Sequence, residues 1–259
     1  MKKNLPLNYN KLSIWSAEED FPDSTNRYIE KILKKHSVKT VLDLSCGTGS
    51  QVFWLAKHGY EVIGVDISVG MLKIARSNAK KEKIEVELLE GDMRTTKVGS
   101  FDAVITIFNA IGHLTKTDFE KAIRNIHANL KDGGLYIFDI FNLDCRKNDT
   151  MAMDVTKKIG ETKIRKVQKS KLNRKNGVLS SNDCFYVQTG SGKTKIYKGK
   201  FSLQLYGAKE IENMLTRNGF KVLGQYGIDG AILLERKTVS IMTIAKKQTP
   251  ANHSVEPIA

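Results

Sequence analysis

Long apolar runs, paired cysteines and acidic residues are what this chain has little of. No stretch approaches the ~18 consecutive apolar residues of a membrane-spanning helix, so no span is expected. The first residues, Met1-Lys2-Lys3-Asn4-Leu5-Pro6, lack the apolar core of a secretory leader. Three cysteines, Cys46, Cys145 and Cys184, are scattered and odd in number. They fit neither a disulfide framework nor metal-ligand spacing, so a reducing cytoplasm and no bound metal are expected. Acidic residues number 28 against 42 lysines and arginines, a formal charge of +14. That excess suits either a polyanionic partner or a solvated lysine-rich surface. With 259 residues, 41% hydrophobic, the chain can form one large domain, or a domain with a small subdomain.

What is present is organised around Thr40 to Ser50. Val41 to Leu44 is an apolar run that reads as a short buried strand. It ends in a turn containing Ser45, Gly47 and Gly49, where glycine lets backbone approach a ligand that a Cβ would block. Ser50 stands at a helix N-cap position, and Gln51 to His58 follow with helical spacing. Strand, glycine turn and helix form the nucleotide-cradling unit of doubly wound α/β folds. Seventeen residues past Gly49, Asp66 closes a second apolar run, Val62 to Val65. A carboxylate at that strand tip is placed to accept both ribose hydroxyls of an adenosine. Gly91-Asp92-Met93 closes a third run, Ile84 to Leu89, and Phe101 to Phe108 is a fourth.

At these motifs the chain resembles the class I S-adenosylmethionine-dependent methyltransferases, over roughly residues 35 to 246. Asp43-x-Ser45-Cys46-Gly47-Thr48-Gly49 looks like their first motif; Asp66, Asp92-Met93 and Phe101-Asp102 look like later ones. Ser45 replaces the first glycine of the family's triplet, and a small residue still suits the turn. The resemblance implies S-adenosyl-L-methionine as cofactor, with Asp43, Ser45, Gly47, Gly49, Asp66, Ile67, Asp92, Met93 and Phe108 as its binding residues. Asp92 would face the adenine amino group and Met93 would pack on the ring.

The implied fold is α/β: a doubly wound, mostly parallel, seven-stranded Rossmann-like sheet with an antiparallel β insert after the fifth strand. Residues 1–36 read as an N-terminal cap and helix, with Tyr9, Leu12, Ile14 and Trp15 in loosely helical spacing. Residues 37–142 read as the cofactor-binding core, with Thr117-Asp118 capping a helix that ends in Lys131-Asp132-Gly133-Gly134, and Leu135 to Phe138 as the fifth strand. Residues 143–206 read as the insert. Within it 143–160 look irregular, whereas Lys163–Lys171, Gly177–Val187 and Lys193–Tyr206 alternate polar and apolar around the turns at Asn176-Gly177 and Gly190-Ser191-Gly192. Residues 207–247 complete the core with a helix from Ala208 to Asn218 and strands at Lys221–Tyr226 and about Ala231–Ala245. Residues 248–259 read as a disordered tail.

Methyl transfer from a sulfonium needs alignment and exclusion of water, and an amine or hydroxyl acceptor must also lose a proton. His113, near the fourth strand tip, has an intrinsic pKa suited to accepting that proton or orienting the acceptor. Ile107 to Leu114 resembles the segment of small-molecule N-methyltransferases acting on amino groups of nucleotide-linked deoxysugars, and of glycine N-methyltransferase-like enzymes. There the residues matching His113 and Tyr9 lie near the acceptor. Enzymes that N-methylate adenine or cytosine in nucleic acid need an Asn/Asp-Pro-Pro-aromatic tetrapeptide, where this chain has Phe108-Asn109-Ala110-Ile111, and cytosine-C5 enzymes need a nucleophilic cysteine, whereas Cys46 lies in the glycine turn and Cys145 lacks a Pro-Cys context. Between Lys157 and Lys200, eleven lysines and two arginines stand against Glu161 and Asp183, a net of +11. A basic rim at the acceptor site would favour an acidic small molecule. An RNA methyltransferase using the basic insert and a non-catalytic nucleotide-binding domain are the alternatives.

Overall fold

The computed structural model describes residues 23–249. Tyr9 and the rest of residues 1–22, and the tail beyond Thr249, lie outside the described residues. The chain runs α1 (Asp23–Lys35), β1 (Thr40–Asp43), α2 (Ser50–Lys57), β2 (Glu61–Asp66), α3 (Val69–Glu82), β3 (Glu87–Glu90) and β4 (Phe101–Thr106). A short 3₁₀ turn (Ala110–His113), α4 (Lys116–Ala128) and β5 (Leu130–Phe141) follow. Then come β6 (Thr150–Ile159), β7 (Thr162–Asn173), β8 (Val178–Thr189), β9 (Lys195–Gln204), α5 (Ala208–Thr216), β10 (Phe220–Gly227) and β11 (Ser240–Lys247).

Seven strands form one sheet in the order β10-β11-β5-β4-β1-β2-β3. β1 pairs in parallel with β2 and β4, and β11 runs antiparallel to both of its neighbours. Alternate strand residues feed two cores. Val41, Val62, Ile105 and Ile137 pack with Leu33 of α1, Val52 of α2 and Leu72 of α3. Leu42, Val104, Tyr136 and Phe138 pack on the other face with Phe119 and Ile123 of α4 and Ile211 of α5. With helices on both faces, each central strand must be apolar throughout. Polar residues on β1, β2, β4 and β5 therefore gather at the strand ends, and the carboxyl ends share one edge.

The fold class follows expectation, and several boundaries are corrected. Residues 143–149 are irregular as expected, but Thr150–Ile159 form a strand, β6, which pairs with β7 along its whole length. β6 is the edge of a separate antiparallel sheet, β6-β7-β8-β9, and is exposed along most of its length, so no buried face marks it in the sequence. α4 starts at Lys116, one residue before Thr117-Asp118, and is capped by the Thr115 hydroxyl, which accepts from the Asp118 N–H. It stops at Ala128 rather than running to Gly134. Asn129, fully buried, turns its amide onto the preceding loop: Oδ1 accepts from Val98 N and Nδ2 donates to Thr96 O. Lys131 to Gly134 instead form a bulge inside β5, which starts at Leu130 opposite Phe101. Residues 231–239 form a loop, and the last strand begins only at Ser240. The third strand is shorter than its apolar run.

Asp102 ties the amino ends of β1 and β4 together. Its carboxylate accepts from Lys39 N and Thr40 N at 2.9 Å each, from the Thr40 hydroxyl at 3.1 Å, and from Lys131 Nζ at 2.8 Å. Burial alone would raise its pKa, but Lys131 and the amide donors prevail and hold it well below the usual carboxylate range. Its stabilisation is therefore fully present above the unfolded value of about 4 and is lost as pH falls through the depressed folded value. Asp102→Asn should destabilise the protein by about 1–3 kcal/mol at pH 7. In denaturant titrations the gap from wild type should narrow near pH 3.

Candidate active site

The β1 turn is held by backbone donors on two aspartates. Asp43 Oδ1 accepts from Ser45 N at 2.9 Å. Asp66, at the tip of β2, accepts from Gly47 N and from Ser68 N, each at 2.8 Å. Cys46 N donates to Val65 O at 3.0 Å, fastening the turn to β2. Gly47 and Gly49 both have positive φ, +54° and +98°. Gly49, not Ser50, is the N-cap of α2, and a Cβ there would lie 2.3 Å from the Phe53 ring. Ser68 caps α3 by accepting from Met71 N. Asp43 is fully buried, and burial, with Asp66 nearby, pushes its pKa up to about 7. Burial raises that of Asp66 as well. Among the described residues, neither Asp43 Oδ2 nor Ser45 Oγ has a hydrogen-bond partner.

At the end of β4 the chain turns through two consecutive non-glycine residues in the left-handed region, Phe108 (φ +62°) and Asn109 (φ +57°). Such a pair costs on the order of 1–3 kcal/mol per residue and persists only where its surroundings impose it. Asp139, buried at the end of β5, accepts from Asn109 N at 3.2 Å and from the Ser240 hydroxyl at 2.7 Å. Asn109 Oδ1 in turn accepts from Phe141 N at 2.9 Å. Gly112 lies so close to the Asn109 amide that a Cβ would sit 2.5 Å from it. The 3₁₀ turn that this clasp anchors carries His113, whose pKa burial lowers to about 4.

The β3 turn is an ion-pair cluster. Arg94 grips Asp92 with Nε at 2.9 Å and Nη2 at 2.5 Å, and reaches Asp118 with Nη1 at 3.1 Å. The guanidinium holds the Asp92 carboxyl below its ordinary range. Asp92 N donates to the Thr96 hydroxyl, and Asn125 holds Met93 O.

These three turns open onto one cavity of about 640 Å³. Ser45, Gly47, Asp66, Ile67, Asp92, Met93, Phe108 and His113 line it, so eight of the residues singled out from sequence meet there. Asp43 and Gly49 shape the turn without lining the cavity. Arg94, Asp118, Asp139, Phe141 and Ser240 line it too and were not anticipated. Asp139 was legible only as one more acidic strand tip. Ser240 comes from the far end of the chain, and only the antiparallel pairing of β11 with β5 brings it in. Among the described residues, none between Asn142 and Gly227 lines the cavity.

Residues 41–134 match a family described as a methyltransferase domain. A glycine/sarcosine N-methyltransferase from Parasynechococcus marenigrum is 34% identical over 143 residues, about half of each protein, 49% of this chain and 51% of that one. Among solved structures, an S-adenosylmethionine-dependent methyltransferase from Clostridium acetobutylicum superposes with a TM-score of 0.79 at 20% identity, covering 93% of this chain and 99% of that one. An amino pentose methyltransferase from Micromonospora echinaspora, solved with S-adenosylmethionine bound, gives 0.73 at 19% identity, covering 95% and 99%. At these identities the solved structures establish the fold.

Gly49→Ala tests the turn geometry. A Cβ would meet the Phe53 ring at a φ that L side chains rarely adopt, so thermal or denaturant unfolding should show a loss of about 2 kcal/mol or more. Gly59→Ala is the comparison, since that glycine also has positive φ but nothing lies within 4 Å of its added Cβ.

Proposed function

We propose that this chain, an S-adenosylmethionine-dependent methyltransferase by its domain and fold, methylates the amino group of a small molecule. The observation that carries the proposal is the far end of the cavity, where His113, kept uncharged by burial, shares the lining with Asp139 and Ser240. Glycine/sarcosine and an amino pentose, named for two similar proteins, are both amine acceptors and add support.

The residues present suit the cofactor. Asp43 Oδ2 and Ser45 Oγ, buried and without partners among the described residues, lie behind and beside the turn that would receive the charged methionine end. The glycine turn leaves backbone bare beside the cavity, with only Met71 and a backbone oxygen within 4 Å of a Cβ added at Gly47. Asp66 has two acceptor oxygens at the cavity wall for ribose hydroxyls, although both already hold backbone N–H groups. Asp92 is committed to Arg94, so the adenine would be met by Met93 and by the β3-turn backbone rather than by a free Asp92 carboxylate. When bound, S-adenosylmethionine supplies an electrophilic methyl group on a sulfonium that leaves as a neutral thioether.

The chain's own part is placement and electrostatics. Among the described residues, Asp66, Asp92, Asp118 and Asp139 face the cavity against Arg94 alone, a lining matched to cationic ligands. Phe108, Phe141 and Ile228 supply apolar wall that limits water near the reacting end. His113, with its pKa near 4, is a weak proton acceptor at neutral pH, so its role is to receive a hydrogen bond from the amine and orient its lone pair. Tyr9, the other residue expected near the acceptor, lies outside the described residues. The basic insert gives an acidic acceptor no support, because Lys163, Arg165 and Lys169 stand on a sheet face that does not line the cavity.

In calorimetry, Asp66→Ala should weaken S-adenosylmethionine binding tenfold or more, since losing a paired ribose contact costs on the order of 1.5–3 kcal/mol. His113→Ala should lower turnover of an amine acceptor about 10- to 100-fold with donor affinity intact. Because the folded pKa of His113 is lowered, its protonation should not shape the rate between pH 6 and 9. The pH profile of kcat/KM should follow the acceptor's own ammonium and be unmoved in His113→Gln. Neutralising Lys163, Arg165 and Lys169 together should leave the acceptor's KM unchanged; a steep rise would reinstate an acidic acceptor.

A further inference from the structure

Seven of the thirteen cations between Lys157 and Lys200 stand on one sheet face that the cavity does not use. Pairing across the second sheet aligns Lys169 with Asn182 and Lys200, Lys171 with Ser180 and Ser202, Val167 with Cys184 and Lys198, and Arg165 with Tyr186 and Ile196. These residues therefore share one face, joined by Lys163 and by Lys158 of β6. All seven cations on it, Lys158, Lys163, Arg165, Lys169, Lys171, Lys198 and Lys200, are exposed. Among the described residues of the four strands, Asp154 is the only acid on this face, and Arg165 engages it through both carboxylate oxygens. The opposite face carries the buried side chains, Ile164, Leu172, Leu179, Phe185 and Leu203.

Protection of sheet edges does not account for this pattern. Edge strands are the ones that need charge to prevent unwanted pairing. The edges here are β6 and β9, yet four of the seven cations are on β7, an interior strand. Successive same-face residues on a strand stand only about 6.7 Å apart, so a lysine row is maintained against its own repulsion. The surface is also shaped. A trough of about 630 Å³ on it is lined by Lys169, Lys198 and Lys200 with Val167, Asn182, Asp183, Cys184 and Gly199, the Asp183 side chain belonging to the opposite face. Beside it Tyr186 offers a partly exposed ring with the Arg165 guanidinium 5.8 Å from its centroid.

We propose that this sheet face binds single-stranded nucleic acid, with phosphates on Lys163, Lys169, Lys171, Lys198 and Lys200 and a base stacked on Tyr186. Rows of lysine with one aromatic ring on an open antiparallel sheet combine a charge track for the backbone with a platform for an unpaired base. Lysine makes point contacts without the bidentate fork of arginine, so binding would be independent of base sequence. A duplex hides its base faces in the stack, and an acidic polypeptide lacks a base for Tyr186; both are therefore disfavoured. Because none of these residues lines the cavity, binding is separate from the methyl-transfer site.

The test is fluorescence anisotropy of the full chain with a labelled mixed-sequence single-stranded oligonucleotide. Binding is expected at 50 mM salt. With five phosphates engaged, it should weaken about a hundredfold between 50 and 200 mM salt. The quadruple variant K163Q/K169Q/K198Q/K200Q should abolish it and retain the wild-type melting temperature and S-adenosylmethionine affinity. Tyr186→Ala should weaken single-strand binding several-fold and leave duplex binding unchanged. Absence of binding at 50 mM salt overturns the proposal, as does binding that survives the quadruple variant. Equal affinity for polyglutamate overturns it in favour of an acidic protein partner, and a preference for duplex overturns the stacking role of Tyr186.

Discussion

Strand β1 is buried on both faces, and that constraint arranges the rest of the core. A strand with helices above and below can present polar chemistry only where it ends. Val41 and Leu42 feed the two opposite cores, so Asp43 and Ser45 fall at the strand's exit. The parallel partners β2 and β4 obey the same rule and end at the same edge. Their tips are not interchangeable, however. Asp66 closes β2 with a carboxylate that collects backbone N–H groups, whereas β4 ends in a left-handed pair that must itself be collected, by Asp139.

The cavity thus has two ends built on different physical terms. Around the β1 turn, Asp43 keeps one buried carboxylate oxygen without a partner among the described residues, which suits the region to donors and positive charge. Around the β4 tip, carboxylate capacity is spent internally: Asp139 is engaged by Asn109 and Ser240. The first end is suited to holding a cationic ligand, and the second to holding its own shape while a ligand changes. The Arg94 cluster closes the third side with charges already paired, and so contributes form more than net field.

Much of this was readable from sequence because it depends on local pattern. Apolar runs mark β1, β2 and β4, a glycine turn follows β1, and acidic residues mark the tips of β1 and β2, whereas β4 closes on Asn109. What escaped depends on pairing between distant segments. Ser240 and Ile228 reach the cavity only because β11 inserts between β10 and β5. Asn129 ends α4 through contacts to a loop thirty residues earlier, and no helix-stop signal encodes that. β6 escaped because an exposed edge strand draws its order from its neighbour. The lysines of the second sheet were visible as composition, but which face they occupy follows from register. A shift of one residue would have turned the whole row inward.

The second sheet leaves and rejoins the core at adjacent points. Asn142 and Tyr206 form a bridge, and Leu143 N donates to Tyr206 O at 3.0 Å. Sixty-odd residues thus enter and exit through a gap no wider than that of a hairpin. The core registers them as a single closed loop. Loop entropy grows only logarithmically with length, so each halving of such an excursion changes the closure term by about 0.6 kcal/mol. In polymer terms, the strand bearing Asp139 is nearly indifferent to how much chain hangs from its end. The sheet can therefore be lengthened, shortened or exchanged over generations while the clasp around Asn109 keeps its geometry.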